Sequence, residues 1–187
     1  TFQLVLDGNS YDLNPIPENN QRYHTKIETF MYIQNLSGGS NTFSDYWIVR
    51  TKDGTTYRFG FYPEAELTVN KYQAPNDYVW RWYLDQISDT HGNMVHYLYK
   101  ENPFPNDIAA TYLDKILYND NGTTNKTVIN FIYSSGDRSD MRRVYNNGHI
   151  TRMSRGLEAI DVLYDNVLVK RLDPDYIYTA NDRPAQT

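Results

Sequence analysis

Apolar and polar residues alternate along most of this chain, and turn-forming pairs separate the alternating stretches. Val95, Tyr97 and Tyr99 share one face of a segment that follows a Gly-Asn pair at positions 92–93. A period of two is typical of a pleated β-strand, in which successive side chains point to opposite faces. Glycine and asparagine tolerate the positive φ of a tight reversal. Residues 82–99 are therefore predicted to form a β-hairpin.

The same unit occurs a second time, at residues 112–133, with a longer turn around Asn121-Gly122. The first strand of each copy carries the same four residue types at the same spacing: Tyr83, Leu84, Asp85 and Ile87 in one, and Tyr112, Leu113, Asp114 and Ile116 in the other. A weaker third copy covers 156–164, and 167–172 is its predicted return strand. This repeat predicts a series of similar hairpins, but it says little about a catalytic or binding site.

Three further hairpins are predicted from alternation and turn chemistry. Asp-Gly between alternating segments is among the strongest short-range hairpin signals. It occurs at 7–8, between predicted strands 2–6 and 11–13, and at 53–54, between 46–51 and 55–62. Trp47, Val49 and Thr51 share one face of the latter hairpin. The third hairpin covers residues 140–153 and turns at Asn147-Gly148.

The remaining segments are predicted from composition. Residues 14–21 contain Pro15 and Pro17 and are interpreted as a loop, and all eight prolines are placed in loops or at strand margins. Residues 25–36 are predicted as a strand with a bulge, with a short helix as the alternative, and 174–178 as one more strand.

The whole pattern predicts an all-β, antiparallel, hairpin-rich meander of roughly a dozen or more strands. Two arrangements are open: one curved sheet, or two stacked lobes. The domain assignment is a single region, 1–187, with sub-lobes 1–76 and 77–187 divided near Pro75–Asp77.

Composition narrows the functional classes. The chain has 187 residues, no cysteine and a net charge of −5, and its basic residues form no run. Nucleic-acid binding needs concentrated positive charge, so we expect no nucleic-acid partner. No stretch approaches the ~20 apolar residues of a membrane span. The chain begins with Thr1 and lacks an initiator Met, so we expect a processed product or an excised fragment.

Catalytic and metal-binding patterns are weak. Asp85 with Asp89, and Glu64 with Glu66, are carboxylate pairs that could share a strand face, as acid–base chemistry requires. Asp85 recurs with the hairpin as Asp114, which favours a structural role. His91 and His96 do not have the spacing of a zinc site on a helix, and the Asp/Asn loops 89–93 and 119–125 do not follow calcium spacing, so these residues are interpreted as turn residues. We therefore expect no enzymatic activity, no metal and no cofactor.

An aromatic strip is the one candidate binding site. Tyr78, Trp80 and Trp82 alternate, so they are expected on one strand face, where flat rings could stack on a glycan. The alternative is that this face belongs to the core. Tyr78 and Trp80 are the candidate ligand-stacking residues, whereas Trp82 is favoured as a core residue.

Ordered motifs resemble one known family. Residues 45–60, DYWIVRTKDGTTYRFG, and the later WYLDQISDTHGN closely resemble bacterial RHS/YD-repeat proteins, and more specifically the N-terminal region of the SpvB/TcB group, the B subunits of insecticidal toxin complexes. The segments FQLVLDGNSYDL, YLDKILY, RRVYNNG and RGLEAIDVLY also fit. The first motif is matched by Trp47, Val49, Thr51, Asp53, Gly54, Tyr57, Phe59 and Gly60, and the second by Trp82, Leu84, Ile87, Asp89, Gly92, Asn93, Tyr97 and Tyr99.

The resemblance implies a structural function. Such proteins form large β-sheet shells that enclose a toxin or effector, so this chain would be a non-enzymatic segment of shell wall. Its partners would be the rest of its parent chain or a C-subunit-like toxin, and its location a bacterial virulence setting, secreted or at the cell surface. The alternative function is a cell-surface or secreted β module that binds glycan or protein through the aromatic strip.

Overall fold

The computed structural model describes residues 2–68, 78–120, 125–146 and 149–176, and within them it confirms the all-β prediction. These residues form β-strands and one short 3₁₀ turn, Pro63–Ala65, with no α-helix among them. The strands are β1 Phe2–Leu6, β2 Asn9–Ile16, β3 Asn19–Thr25, β4 Tyr32–Ser37, β5 Asp45–Arg50, β6 Thr56–Phe59, β7 Glu66–Thr68, β8 Val79–Trp82, β9 Leu84–Ser88, β10 Met94–Glu101, β11 Thr111–Asp120, β12 Asn125–Tyr133, β13 Val144–Asn146, β14 His149–Thr151, β15 Leu157–Tyr164 and β16 Val167–Leu172.

Twelve of these strands belong to one antiparallel sheet, and β7–β8 and β13–β14 form two separate two-stranded sheets. The chain divides into two compact units, one made of residues 1–66 with 81–94 and the other of 67–80 with 95–187. The sub-lobe division predicted between 76 and 77 lies outside the described residues, so the domain assignment stays a prediction.

The core of the first unit is built on the predicted hairpin β5–β6. Trp47 pairs with Phe59 and Val49 with Tyr57 across the two strands, which confirms that Trp47 and Val49 share a face. Both are buried because that face packs against apolar residues of the preceding strands. The buried cluster consists of Leu4, Leu6, Leu13, Ile33, Trp47, Val49 and Phe59.

The hairpins of the second unit confirm the strands predicted for the second and third copies of the unit. In the second copy, Ile116 of β11 pairs with Ile129 of β12. The third copy is β15, and its return strand β16 has the predicted bounds, 167–172. The turns predicted at Asn121-Gly122 and Asn147-Gly148 lie outside the described residues. So does part of the strand predicted at 174–178, and the described residues of that segment, 174–176, form no strand.

The strand predicted over residues 25–36 is confirmed for 32–36, where β4 lies, and is wrong for 26–31. β3 ends at Thr25 and β4 begins at Tyr32, with a loop between them. Phe30 in this loop adopts φ 58° and is 69% exposed, and Ile27 is 82% exposed. A bulky residue at positive φ cannot continue a strand or a helix, so the apolar residues of this segment mark an exposed loop and not a buried face.

The loop predicted over residues 14–21 is also wrong, because β2 extends to Ile16 and β3 begins at Asn19. Pro15 therefore lies within a strand. The pairing of β1 with β2 ends at Leu13, so on that side Pro15 has no neighbouring strand to which an N–H would donate. A proline is tolerated at such a locally open edge, and a register shift follows it between Pro15 and Ile16.

Candidate functional site

The two carboxylates of the first predicted pair, Asp85 and Asp89, lie in different environments. Asp85 is buried on β9, where its Oδ1 accepts from Arg58 Nε at 2.6 Å and its Oδ2 accepts from the backbone N–H of Phe61 at 2.6 Å. Its repeat counterpart Asp114 also pairs with a cation, since Lys100 Nζ lies 2.6 Å from its Oδ1. In both copies of the unit, this aspartate anchors a basic side chain.

Asp89, the other member of that pair, organises a turn. Its carboxylate accepts from the backbone N–H groups of His91 and Asn93 at 2.8 and 2.9 Å, and from Asn93 Nδ2 at 2.6 Å. The hydrogen bond from the Asn93 side chain is the main reason that the pKa of the Asp89 carboxyl lies below its usual value. These contacts are those of a turn residue that caps its own backbone. The side chain of His91 is 84% exposed, as its assignment to the turn predicts.

In the second predicted pair, one carboxylate is exposed and the other is buried. Glu64 is exposed in the first turn of the 3₁₀ segment, whereas Glu66, the residue that ends it, is only 1% exposed. Glu66 Oε1 accepts from the backbone N–H of Thr42 at 2.8 Å. No periodic pattern predicts this burial, because the partner of Glu66 is a distant loop.

The densest polar network of the second unit centres on Asp107. Its Oδ1 accepts from Tyr112 Oη at 2.8 Å and from Ser154 Oγ and N at 2.7 and 2.9 Å, and its Oδ2 accepts from Phe104 N at 3.0 Å. Tyr112 and Ser154 are fully buried. The four donors occupy the carboxylate, so the network ties the loop before β11 to the segment before β15. Sequence reasoning missed it, because no spacing rule connects 107 with 154.

The three residues of the aromatic strip differ in burial and in their contacts. Trp82 packs against Trp47 at 5.8 Å and donates from Nε1 to the carbonyl of Asp45 at 3.1 Å, so it is a core residue of the first unit, as expected. Tyr78 is 44% exposed, and Trp80 on β8 is half-buried. Their assignment as candidate stacking residues stays a prediction.

The strand β16 presents an exposed apolar surface that could bind another strand. All six of its residues are exposed, and four are large and apolar: Val167, Leu168, Val169 and Leu172, with 45% to 67% exposure. β16 pairs with β15 and is the last strand of the large sheet among the described residues. A long apolar edge strand is a template for pairing with another strand. The sequence predicted the strand but not its place at the edge.

The described part of the chain contains neither a cluster of metal-ligating side chains nor a membrane-spanning helix. Residues 2–68, 78–120, 125–146 and 149–176 contain no group of three or more His, Cys, Asp or Glu side chains placed to bind a metal. The same residues include no helix with the length and apolar character needed to cross a membrane.

Comparison with known protein families finds a match over most of the chain. The family model SpvB, described as Salmonella virulence plasmid 65kDa B protein, matches residues 11–148. No curated protein matches the chain.

Solved structures share its fold at low sequence identity. The N-terminal domain of effector protein SpvB from Salmonella typhimurium strain LT2 matches with a TM-score of 0.68 and 18% identity, over 91% of this chain and 66% of that one. A chain of the Photorhabdus luminescens Tc holotoxin pore matches with a TM-score of 0.67 and 16% identity, over 92% of this chain and 11% of that one. A chain of the TcdB2-TccC3-Cdc42 crystal structure matches with a TM-score of 0.66 and 16% identity, over 94% and 10%. The chain thus spans just under two thirds of the first chain and about a tenth of the toxin chains.

Proposed function

The chain belongs to the SpvB family, Salmonella virulence plasmid 65kDa B protein, and from this membership we propose that it is a structural segment of an RHS- and Tc-toxin-type β-shell that encloses a toxin or effector. Similarity to chains of Tc toxin assemblies supports the coarser statement, a structural segment of a toxin complex. Under the proposal its partners are the rest of its parent chain or a C-subunit-like toxin, and it acts as a secreted or cell-surface bacterial protein.

The observation that carries this proposal is the exposed apolar edge of β16. Burial of apolar surface is worth ~25 cal/mol per Å², so four exposed apolar side chains on one edge strand favour association. A neighbouring strand would satisfy the outward backbone groups of β16 and cover those side chains. A shell wall built from successive hairpins supplies such a strand.

The carboxylates support the non-enzymatic part of the proposal. Asp85 is held by Arg58 and a backbone N–H, and Asp107 by four donors, so each is committed to a structural contact. A general acid or base needs a carboxylate that can exchange a proton with a substrate. Neither aspartate is arranged in that way.

The test compares hydrogen exchange in the 187-residue chain with exchange in the native product isolated from its source cells. In the isolated chain the outward amides of β16 should exchange rapidly, since no strand of the described residues pairs with that edge. In the native product a peptide covering 164–172 should exchange about ten-fold or more slowly, because a neighbouring strand protects it. Peptides of β12, which lies between β11 and β15, serve as the control, because they should exchange at the same rate in both samples.

An immunoblot of the native product accompanies this comparison. A band several times larger than 22.0 kDa is expected for a shell segment. A band near 22.0 kDa, with β16 exchanging equally fast in both samples, would contradict the shell assignment.

A further inference from the structure

One face of the sheet in the first unit carries basic and aromatic side chains that contact one another. Ile33 of β4 is fully buried in the core. Its neighbours Tyr32 and Gln34 point to the opposite face, because successive side chains of a strand alternate between the two faces. Arg50 of β5 pairs with Tyr32, and Arg22 of β3 pairs with Gln34. The two arginines therefore share with Tyr32 the face that is turned away from the core.

Cation–π contacts connect the side chains of this face. The guanidinium carbon of Arg22 lies 3.9 Å from the centroid of the Tyr32 ring, and that of Arg50 lies 5.6 Å from it. Lys52 Nζ lies 4.2 Å from the centroid of the Phe30 ring. Phe30 and Lys52 each lie two residues beyond the paired residues Tyr32 and Arg50, at the same end of the two strands. We refer to Arg22, Phe30, Tyr32, Arg50 and Lys52 as the basic aromatic face.

The three cations of the basic aromatic face form no ion pair with a carboxylate of the residues that the structure describes. Arg50 Nε donates instead to Thr56 Oγ1 at 3.3 Å. The strands beside β3, β4 and β5 in the sheet, β2 and β6, also belong to the described residues. The first unit is nevertheless acidic: residues 1–66 and 81–94 contain six Lys or Arg and ten Asp or Glu, a net charge of −4. Its own carboxylates, although in excess, do not neutralise this face.

Phe30 is exposed at a conformational cost. It adopts φ 58° and is 69% exposed, so a strained backbone presents its ring to solvent. Its N–H donates to Glu28 Oε1, and Thr25 Oγ1 and Thr29 Oγ1 lie 2.9 Å apart, so local contacts hold the loop in this conformation. Ile27 in the same loop is 82% exposed. Strain that gains no burial in the fold is typical of residues kept for binding.

We propose that the basic aromatic face binds an acidic, partly apolar segment of another protein. A guanidinium that stacks on a ring still presents its N–H edge, which donates two parallel hydrogen bonds to a carboxylate. The ring also restrains the side chain, so less conformational freedom is lost on binding. Carboxylates of the segment pair with Arg22, Arg50 and Lys52, and its apolar side chains cover Phe30 and Ile27.

Residue types and charge favour a protein over a nucleic acid as the partner. Arg, Tyr and Phe are enriched in protein interfaces, and Tyr and Arg dominate their binding energy. Nucleic acids need concentrated positive charge, which a unit of net charge −4 does not supply. A wall segment of a shell needs only pairing between strands, so this binding function does not depend on the shell assignment.

A titration followed by two-dimensional NMR tests the face in the 187-residue chain. The probe is a synthetic peptide of repeated Glu-Leu-Glu-Pro, whose prolines lack the N–H that a strand added to β16 would need. Backbone amides of β3, β4 and β5 and the Nε–H signals of Arg22 and Arg50 should shift in a saturable way, and β16 should not respond. A peptide with Gln in place of Glu should bind at least about ten-fold more weakly, because it cannot form charge-assisted hydrogen bonds.

Arg50→Gln and Lys52→Gln test the charges of the face. Both residues are exposed, so the variants are expected to fold. Each should weaken binding of the acidic peptide about 5–30-fold, the effect of losing an interface hot spot. Lys170→Gln is the matched control, because it removes the same charge from the exposed strand β16 of the second unit and should leave binding unchanged.

Phe30→Gly separates binding from folding. Glycine adopts φ 58° without strain, so the variant should raise Tm by about 2–4 °C. It should weaken binding of the acidic peptide, because the exposed ring is lost. A residue that only maintained the loop would give the opposite result: a lower Tm and unchanged binding.

Three results would overturn the proposal. The first is the absence of saturable shifts on β3–β5 at peptide concentrations up to about 1 mM, a measurement that needs no variant. The second is equal weakening by Arg50→Gln and Lys170→Gln, which would assign binding to net charge. The third is tighter binding of oligothymidylate than of the acidic peptide, which would assign the face to phosphates. None of these results changes the exchange of β16, so the shell assignment is tested separately.

Discussion

Gly60 shows how one residue position constrains the fold of the first unit. It adopts φ 72°, and a Cβ built there would lie 2.2 Å from Trp82 Cδ1. Its N–H donates to the carbonyl of Tyr83, and its carbonyl accepts from Asn41 Nδ2. The glycine of the family motif is therefore required both for its backbone conformation and for close approach of the Trp82 ring.

Gly60→Ala is expected to destabilise the chain by about 2–5 kcal/mol, since a left-handed alanine costs ~1–2 kcal/mol and overpacking against Trp82 adds ~1–3 kcal/mol. Gly8→Ala is the matched control: Gly8 has φ 75°, but no atom lies within 4 Å of a Cβ built there. Gly8→Ala should lower the free energy of unfolding only by the cost of a left-handed alanine, ~1–2 kcal/mol. Urea unfolding of both variants measures the difference, and equal losses would show that Trp82 imposes no packing constraint.

Tyr133 makes stability depend on pH at the alkaline end. Burial is the main reason that its pKa is raised to about 12, with the negative charges of neighbouring groups adding to the shift. Its Oη donates to the carbonyl of Leu113 at 2.9 Å, which also requires the protonated phenol. An unfolded tyrosine ionises near pH ~10. The contribution of Tyr133 is therefore complete below pH ~10 and is lost as pH rises from there toward 12.

Tyr133→Phe should accordingly lose less stability than the unsubstituted chain between pH ~10 and 12. Urea unfolding across this range measures the difference. Tyr164→Phe is the control, because Tyr164 is 49% exposed and should leave the alkaline profile unchanged. Parallel profiles for Tyr133→Phe and the unsubstituted chain would contradict the assignment.

At the scale of the element, the hairpin β15–β16 is specified by its turn. Asp165 and Asn166 adopt φ 47° and 64°, so both central residues of the two-residue connection lie in the left-handed region. Such turns match the right-handed twist of the flanking strands and favour Asn and Gly. Asp and Asn tolerate this conformation, and the position therefore contains a turn signal without glycine.

Asn166→Gly should stabilise this hairpin by about 0.5 kcal/mol, and Asn166→Val should destabilise it by about 1–2 kcal/mol, because a β-branched residue at positive φ is strained. Hydrogen exchange of β16 is the sensitive measurement, since a hairpin at a sheet edge opens locally. The same sign of change in both variants would exclude backbone strain as the cause.

Local sequence patterns predicted most of the strands and turns, but they did not predict contacts between residues that lie far apart in the chain. The hairpin with Asp53 and Gly54 was predicted with its faces, because alternation and turn chemistry agree there. The strand prediction failed over residues 26–31, because apolar composition does not distinguish a strand from an exposed loop that contains a strained Phe30. The burial of Glu66 and the network of Asp107 depend on partners far along the chain, which one sequence without pairing information does not reveal.

At the scale of the whole molecule, the two end strands of the large sheet differ in character. β1 buries Leu4 and Leu6 and exposes Val5, whereas every residue of β16 is exposed. Edge strands are normally protected by charge, shortness or bulges. β16 has Lys170 and Arg171, but Arg171 is paired with Asp161 through two hydrogen bonds of 2.7 and 2.9 Å. The charged residues of β16 therefore protect this edge only in part, although the pairing of β15 with β16 also contains a register shift between Val162 and Leu163.

The isolated chain should consequently self-associate through β16 as its concentration rises. Val169→Lys should shift the sedimentation profile to monomer, because a charge at position 169, where the valine is 66% exposed, opposes edge-to-edge pairing. Val5→Lys is the matched control on β1, where the valine is 63% exposed, and should leave association unchanged. Equal effects of the two variants would mean that added charge alone prevents association. A chain that is monomeric before substitution would show that Lys170 and Arg171 already suffice to protect the edge.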